Sequence, residues 1–254
     1  MDGLNSILQL PERCLLNKKI TKAFFKRNFD LTSAERSLLD DVSIIDSITW
    51  LASINPIKSN IPEFRDGQTI FEEVQVITVQ TTATGFDRNK QKIAELLQKY
   101  IPYPILLGIY NDHDFVLNTC DKKVNQNDSS KRTIDKRYFT EDISKLPAGK
   151  NHHEFLKSLA FAVLDKTNLQ TLYNAYTQRI ISLQVANLSG VYILRTQSRS
   201  HEDVVRLEQI EALKRDIATL QNEAKKETQM NRKVQLNIQI NEKRKEVERL
   251  TALL

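Results

Sequence analysis

The stretch Thr69–Tyr110, TIFEEVQVITVQTTATGFDRNKQKIAELLQKYIPYPILLGIY, decides the fold of this chain. Its first part, TIFEEVQVITVQTT, alternates apolar and polar residues and predicts a β-strand. The next part, FDRNKQKIAELLQKY, places Ile93, Leu96 and Leu97 at helical spacing. The last part, IPYPILLGIY, is a nearly continuous apolar run, which is typical of a strand buried on both faces. A strand, a helix and a strand joined by short connections form a βαβ unit.

Further strands are predicted on either side of this unit. Downstream, DFVLNTC and RTIDKRYF read as two strands, and the polar DKKVNQNDSSK between them reads as a hairpin tip or a mobile loop. Upstream, SITWLASINPIKSNIPEF reads as an extended segment that Pro56 and Pro62 interrupt.

Two regions have helical periodicity. Residues 1–45 contain Thr32 and Glu35 at the spacing of a capping box, and residues 151–188 continue a helical pattern that Gly190 would end. We therefore predict an α/β (α+β) core domain over residues 1–190. Its central mixed β-sheet contains the βαβ unit and is flanked by helices.

The last part of the chain, residues 203–254, is predicted to be a long helical or coiled-coil arm. Its narrow apolar stripe would bind a partner helix, and its charges are evenly mixed. The stripe consists of Ile210, Leu213, Ile217, Leu220, Leu236, Ile240, Val247 and Leu250. One continuous helix and a hairpin folded near Thr228 both fit the pattern, and the absence of Gly and Pro favours the continuous helix. Asn231, Asn237 and Asn241 would set the register of the pairing, because a polar group that faces an apolar seam penalises wrong pairings.

Composition limits the class of protein. The net charge of +5 and the pI of about 9.1 permit contact with nucleic acid but do not argue strongly for it. Cys14 and Cys120 are the two cysteines, and their wide separation gives no disulfide framework and no CxxC metal site. The N-terminal residues resemble neither a signal peptide nor a transmembrane segment, so we expect a cytoplasmic protein that does not enter a membrane.

Familiar catalytic motifs are absent from the sequence. It contains no GxxxxGK[ST] phosphate-binding loop, no GxGxxG and no GxSxG nucleophile elbow. His152 and His153 are adjacent, so on a helix they would point about 100° apart and could not chelate one ion together. His113 and Asp114 are more typical of a turn or cap than of a metal site. We therefore expect no cofactor and no metal.

A divergent nuclease site is the enzymatic alternative. Restriction-type nucleases place carboxylates and then an acid-x-lysine on a core strand before a helix, where the carboxylates hold a divalent metal. Four residues occupy comparable positions here, namely Asp66, Glu72, Glu73 and Gln80. The neutral Gln80 is a poorer Mg²⁺ ligand than a carboxylate, and Thr82 stands where lysine would be expected. Mg²⁺ would be required only under this alternative.

A basic cluster near the N-terminus is a candidate nucleic-acid site. It consists of Lys18, Lys19, Lys22, Lys26 and Arg27, and Phe24 and Phe25 lie between its cations. Lys122, Lys123, Lys131 and Arg132 could extend it. Aromatic residues among cations can bind nucleic acid, but they also form the apolar side of an ordinary amphipathic helix.

Several strings resemble one protein family. INPIKSNIP, EEVQVITVQ, IPYPILLGIY and KKETQMNRKVQLNIQINEKRKEVERL are similar to the bacterial and archaeal family defined as domain of unknown function four-three-nine-one. The resemblance covers most of the chain. It implies a gene beside DNA methyltransferases and helicases in restriction or phage-defence loci, which is a weaker argument than a site. It also implies acid and lysine after the central strand, where this chain has Gln80 and Thr82.

These observations favour a non-enzymatic accessory or assembly subunit of a bacterial antiphage-defence or restriction–modification complex. Its partner would be the DNA methyltransferase or the helicase of the same locus, or a second copy of the chain bound through the arm. The alternatives are the metal-dependent nuclease and a DNA-binding module of the same system.

Overall fold

The computed structural model describes residues 2–125, 128–145 and 149–254. The chain divides into two compact units, Met1–Ile180 and Ile181–Leu254. Among the described residues, no helix is long and apolar enough to cross a membrane.

The first unit is built on a mixed six-stranded sheet. Its strands are β1 (Leu15–Lys19), β2 (Ile45–Ile54), β5 (Val74–Thr81), β6 (Ile105–Tyr110), β7 (Phe115–Asn125) and β8 (Asp128–Phe139), side by side in this order. The short strands β3 (Phe64–Arg65) and β4 (Ile70–Phe71) form a separate pair. The segment TIFEEVQVITVQTT, which we expected to be one strand, is therefore divided between β4 and β5.

The predicted βαβ unit is confirmed. Helix α5 (Ala83–Tyr100) connects β5 to β6, and these two strands are parallel, with Val76 beside Leu106 and Val79 beside Ile109. The other strand pairs of the large sheet are antiparallel. β7 and β8 form the expected hairpin, although the strands run further into the polar segment than we expected.

Helices cover both faces of this sheet. The first unit contains α1 (Asp2–Leu8), α2 (Lys22–Asn28), α3 (Ser33–Asp40), α4 (Pro56–Ser59), α5, α6 (Lys150–Ser158) and the first part of α7 (Leu169–Ser189). Ile93 and Leu97 of α5 pack with Ile77 and Leu107 of the sheet in the main core. On the other face, Leu4 of α1 approaches so closely that a Cβ on Gly108 would lie 3.0 Å from it.

The expectation that residues 1–45 are helical throughout is wrong for one segment. Lys18 and Lys19 lie on β1, which pairs with β2, rather than on the same amphipathic helix as Lys22 and Lys26. The capping box at Thr32 is confirmed, because its hydroxyl accepts from the Glu35 N–H and the Glu35 carboxylate accepts from the Thr32 N–H. Tertiary pairing with β2 thus overrides the local pattern.

The region after residue 150 is helical but broken. α6 ends at Ser158, a short 3-10 turn follows at Phe161–Val163, and α7 ends before Gly190. Gly190 has a φ of 83° and its N–H donates to the carbonyl of Ala186, so it stops the helix as expected.

The second unit contains a helical hairpin, which corrects our preference for one continuous helix. Helix α8 (Gln197–Lys226) is followed by its C-cap residue Glu227, and α9 (Met230–Ala252) begins three residues after Glu227. The helices are antiparallel, because Lys243 of α9 pairs with Asp216 of α8 at 2.7 Å and Arg199 donates to the carbonyl of Leu253.

Candidate functional site

The acidic residues of the nuclease alternative already have partners. The Glu72 carboxylate forms an ion pair with Arg65 at 2.6 Å, and Glu73 accepts a hydrogen bond from the Gln75 amide at 3.2 Å. Asp66 lies in the turn between β3 and β4, where one carboxylate oxygen accepts from the backbone N–H groups of Gln68 and Thr69. These two backbone hydrogen bonds lower the pKa of Asp66. Each carboxylate thus serves local structure.

The fourth residue of that set, Gln80, lies at the opposite end of β5 from Glu73. It lies seven residues after Glu73, which is about 23 Å at the rise of an extended strand. Its side-chain oxygen is instead 3.5 Å from the Ser47 hydroxyl of β2. Within the described ranges, no group of three or more His, Cys, Asp or Glu side chains could hold a metal ion. The structure therefore does not bring the four nuclease candidates together.

The N-terminus of α5 is covered by backbone and is not open to an anion. The N-cap Thr82 donates its hydroxyl to the Ser43 carbonyl and its N–H to the Ile44 carbonyl. A Cβ on Gly85 would lie only 2.7 Å from the Ile44 Cα, so glycine is needed for this close approach. The parallel strands therefore lead into a packed helix start rather than into a phosphate-binding loop.

The basic residues near the N-terminus are divided between two elements, β1 and α2. Lys18 and Lys19 lie on β1, while Arg27 is in the last turn of α2. Lys22 donates to the Ile45 carbonyl at 2.9 Å, and Lys26 pairs with Asp40. Two of the five cations thus have protein partners, which weakens the case for a continuous nucleic-acid surface.

The second basic set is also largely committed to the fold. Lys123 pairs with Asp135 at 2.7 Å, and Arg132 lies on β8 opposite Val124. Lys122 is buried. The side chain of Lys131 lies outside the described part of the structure.

The buried side chain of Lys122 binds the loop formed by the string IPYP, residues 101–104. Its Nζ donates to the carbonyls of Ile101 at 2.7 Å and Tyr103 at 2.8 Å. Pro102 and Pro104 leave this loop short of N–H donors, and the lysine satisfies two of its carbonyls. Burial lowers the pKa of Lys122 to about 8. The string therefore forms a structural joint between α5 and β6.

The turn after β6 borders a pocket of about 280 Å³, between α1 and the sheet. Asn111 stabilises this turn, because its side-chain oxygen accepts from the N–H groups of His113 and Asp114. The Asp114 carboxylate pairs with Lys145, and this ion pair lowers its pKa well below the usual range. His113 and Asp114 thus belong to a turn, and Asp114 has a structural partner.

The predicted partner-binding stripe pairs with a helix, but that helix belongs to the same chain. Ile210 and Leu250 are buried together with Val185 of α7 in the core of the second unit, and Leu213 and Val247 pack against them. Ile240 is also buried, whereas the others of the stripe, Ile217, Leu220 and Leu236, are partly exposed. This inner seam of the hairpin is not a free surface.

The opposite side of α9 is the largest feature that our reading of the sequence missed. Met230, Val234 and Ile238 are 73%, 50% and 53% exposed. They recur every four residues and form one stripe, since each step of four residues rotates by only about 40°. Val234 and Ile238 each lie two residues from Leu236 of the inner seam, about 160° around the helix from it. The first half of α9 is therefore apolar on two opposite sides.

The three asparagines that we expected in the seam are on this exposed side. By the same rotation, Asn231, Asn237 and Asn241 lie within about 60° of Val234, and all three are exposed. We define the outer face of α9 as Met230, Asn231, Val234, Asn237, Ile238 and Asn241. It carries no charged side chain, whereas seven of the eight residues from 242 to 249 are charged. Loss of charge together with exposed apolar groups is typical of a protein interface.

The sequence contains a signal of this outer face, but it does not state which side of α9 is covered. The string MNRKVQLNIQIN contains apolar residues at both inner and outer helical positions, and Arg232 and Lys233 are its two charged residues. A helix that is solvated on one side would normally have more charges there.

Comparison with known families agrees with the resemblance seen in the sequence. The model of the family described as Domain of unknown function (DUF4391) matches residues 8–247. Because this match covers most of the chain, the chain belongs to that family. Searches of curated proteins and of solved structures found no match. The fold described above thus gives this family member a mixed α/β sheet with a βαβ unit and long C-terminal helices.

Proposed function

We propose that this chain is an accessory subunit that assembles a bacterial defence or DNA-modification complex through protein contacts. The uncharged outer face of α9 is the observation that carries the proposal. The helical hairpin presents this face, and α8 cannot cover it because α8 packs on the opposite side of α9. The choice of complex is motivated by the family resemblance, which implies genes beside DNA methyltransferases and helicases.

The apolar side chains of the outer face support a helix as the bound element. An apolar stripe with a spacing of four residues can pack along the apolar side of another amphipathic helix. Asn side chains beside the stripe can form hydrogen bonds across the contact and favour one register. The face thus combines an apolar contact with polar groups that select a partner orientation.

We expect single substitutions on the outer face to abolish complex formation while the fold is preserved. Val234→Asp and Ile238→Asp each place a carboxylate in the apolar stripe, where burial against a partner would cost several kcal/mol. Light scattering would measure the mass of each variant, alone and mixed with the products of the neighbouring genes. Wild type should form a larger complex, and both variants should lose it.

The matched control is Ala218→Asp, which adds the same carboxylate at an exposed position of α8. It should assemble like wild type. Deleting residues 203–254 would be a poorer test, because Val185 of α7 would lose its packing against Ile210 and Leu250. A complex that survives both Val234→Asp and Ile238→Asp would rule out the outer face as the contact.

A further inference from the structure

We propose that the outer face of α9 binds the outer face of a second copy of this chain, in antiparallel orientation. This inference rests on the proposed function, because it names the occupant of the same face. A two-fold contact requires a surface that is complementary to itself. The composition of the outer face meets this requirement.

Self-complementarity follows from the chemistry of the six side chains. Each Asn amide offers both donors and an acceptor, so the amide of one copy can pair with the amide of another. Met230, Val234 and Ile238 are apolar and pack equally well against each other. The face has no charge of its own that would select an oppositely charged protein.

Antiparallel pairing gives a consistent register. When the two-fold axis crosses the outer face at the level of residue 236, Val234 of one copy lies opposite Ile238 of the other. In the same register, Asn231 of one copy lies opposite Asn241 of the other, because these two residues are equally distant from residue 236. Val234 and Ile238 then meet each other across the contact and the terminal Asn residues meet each other, whereas Met230 lies opposite Glu242 at the margin of the contact.

Charges beside the face favour antiparallel over parallel pairing. Lys245 lies seven residues after Ile238 and therefore on the same side of α9. In the described part of the chain, Lys245 is exposed and no ion pair holds it. Parallel copies would place Lys245 against Lys245, whereas antiparallel copies hold the two ammonium groups about 27 Å apart along the helix. Like charges side by side would destabilise the parallel arrangement.

The size of the contact indicates a reversible dimer. The segment Met230–Asn241 has 12 residues and extends over about 18 Å of helix. Three apolar side chains per copy are fewer than a standard interface of roughly 800 Å² per partner contains. We therefore expect a dissociation constant on the order of micromolar.

Single-cysteine variants test the occupant and its orientation together. Asn231→Cys and Asn241→Cys would be made in the full chain, one of them with a tag that changes its mass, and mixed under mild oxidation. Native Cys14 and Cys120 are buried, and burial raises the pKa of both thiols, so they should not compete. The expected product is a disulfide between the two different variants.

Each variant alone is the control for orientation. Two Asn231→Cys chains in the antiparallel register would hold their cysteines about 15 Å apart along the helix, too far for a disulfide. Gln239→Cys, which is exposed but outside the outer face, should not cross-link with either variant. Efficient cross-linking of Asn231→Cys with itself would overturn the antiparallel register.

The failure of this inference can be told apart from the failure of the proposed function. A wild-type chain that stays monomeric at high micromolar concentration overturns the second copy as occupant. If Ile238→Asp still abolishes binding to another gene product, the outer face remains a docking surface for that protein. If neither a dimer nor any complex depends on Ile238, both proposals fail.

Discussion

At the scale of single residues, side chains that look functional in the sequence are mostly used to hold the backbone. Lys122 was a candidate for nucleic-acid binding, but it lies buried against the carbonyls of Ile101 and Tyr103. Glu35 shows the opposite case, since its role as a capping residue was predictable from spacing alone. A capping box involves neighbours three residues apart, whereas the partners of Lys122 are about 20 residues away. Local contacts can be predicted from the sequence, and distant ones need the fold.

The pH dependence of stability provides a test of Lys122. Burial lowers its pKa from 10.5 to about 8, so between these pH values the unfolded chain binds more protons than the folded chain. The free energy of unfolding contributed by this residue therefore rises with pH across that window. We expect wild type to gain about 2 to 3 kcal/mol relative to Lys122→Met between about pH 7 and about pH 10.

Urea unfolding of both proteins at each pH would measure this difference. Other groups that titrate in the window are common to both chains and cancel in the comparison. A difference that stays constant with pH would show that Lys122 keeps its charge at no cost inside the protein.

At the scale of helices and strands, the sequence predicts the central elements, but its pattern led us to favour one continuous helix over the hairpin near Thr228 that the structure has. The apolar patterns of β5, α5 and β6 are clear in the sequence because these elements pack in the core. The parallel pairing of the two strands follows from the helix that connects them. The turn between α8 and α9 contains neither Gly nor Pro. The carboxylate of Glu227 instead accepts hydrogen bonds from the N–H groups of Thr228 and Gln229, both at 2.9 Å. A charged side chain therefore satisfies the backbone N–H groups of this turn, which no composition rule for turns would detect.

The base of the hairpin depends on a buried ion cluster. Asp203 of α8 is fully buried, and its carboxylate is 3.3 Å from Arg199, 3.4 Å from Arg206 and 3.6 Å from Arg195. Asp203→Asn would leave these arginines without their buried counter-charge. We expect the hairpin to lose about 3 kcal/mol of stability, since breaking a buried ion pair on one side is strongly destabilising.

Circular dichroism during urea unfolding would follow the helices. The matched control is Glu202→Gln, because Glu202 also pairs with Arg199 and Arg206 but is 55% exposed. An exposed pair contributes at most about 1 kcal/mol, so this control should unfold close to wild type. Equal effects of the two substitutions would contradict a special role for the buried carboxylate.

At the scale of the whole molecule, dimer formation through α9 makes stability depend on protein concentration. A contact that only folded chains can make stabilises the folded state by mass action. We therefore expect the Tm of wild type to rise by a few degrees over a hundredfold increase in concentration around the dissociation constant.

Differential scanning fluorimetry over a concentration series would record this shift. Ile238→Asp should show a Tm that does not change with concentration, and Ala218→Asp should behave like wild type. A Tm of wild type that is independent of concentration would speak against the dimer.

The family and the fold class could thus be predicted from the sequence, whereas the candidate site could not be located. We predicted that the apolar stripe of the arm binds a partner helix. Two helices of the same chain satisfy it, however, and a sequence pattern does not state whether its partner is internal. The outer face became visible once the hairpin had shown which side of α9 was already covered.

The position of β1 at the edge of the six-stranded sheet also limits how copies of this chain can associate. An outermost strand offers unpaired backbone groups that invite another chain to add a strand, and this is a common route to aggregation. Lys18 and Lys19 are consecutive on β1, so they place an ammonium group on each side of the strand. An incoming strand would have to desolvate both charges. Two lysines of the candidate nucleic-acid cluster thus also disfavour the addition of a strand at this edge of the sheet.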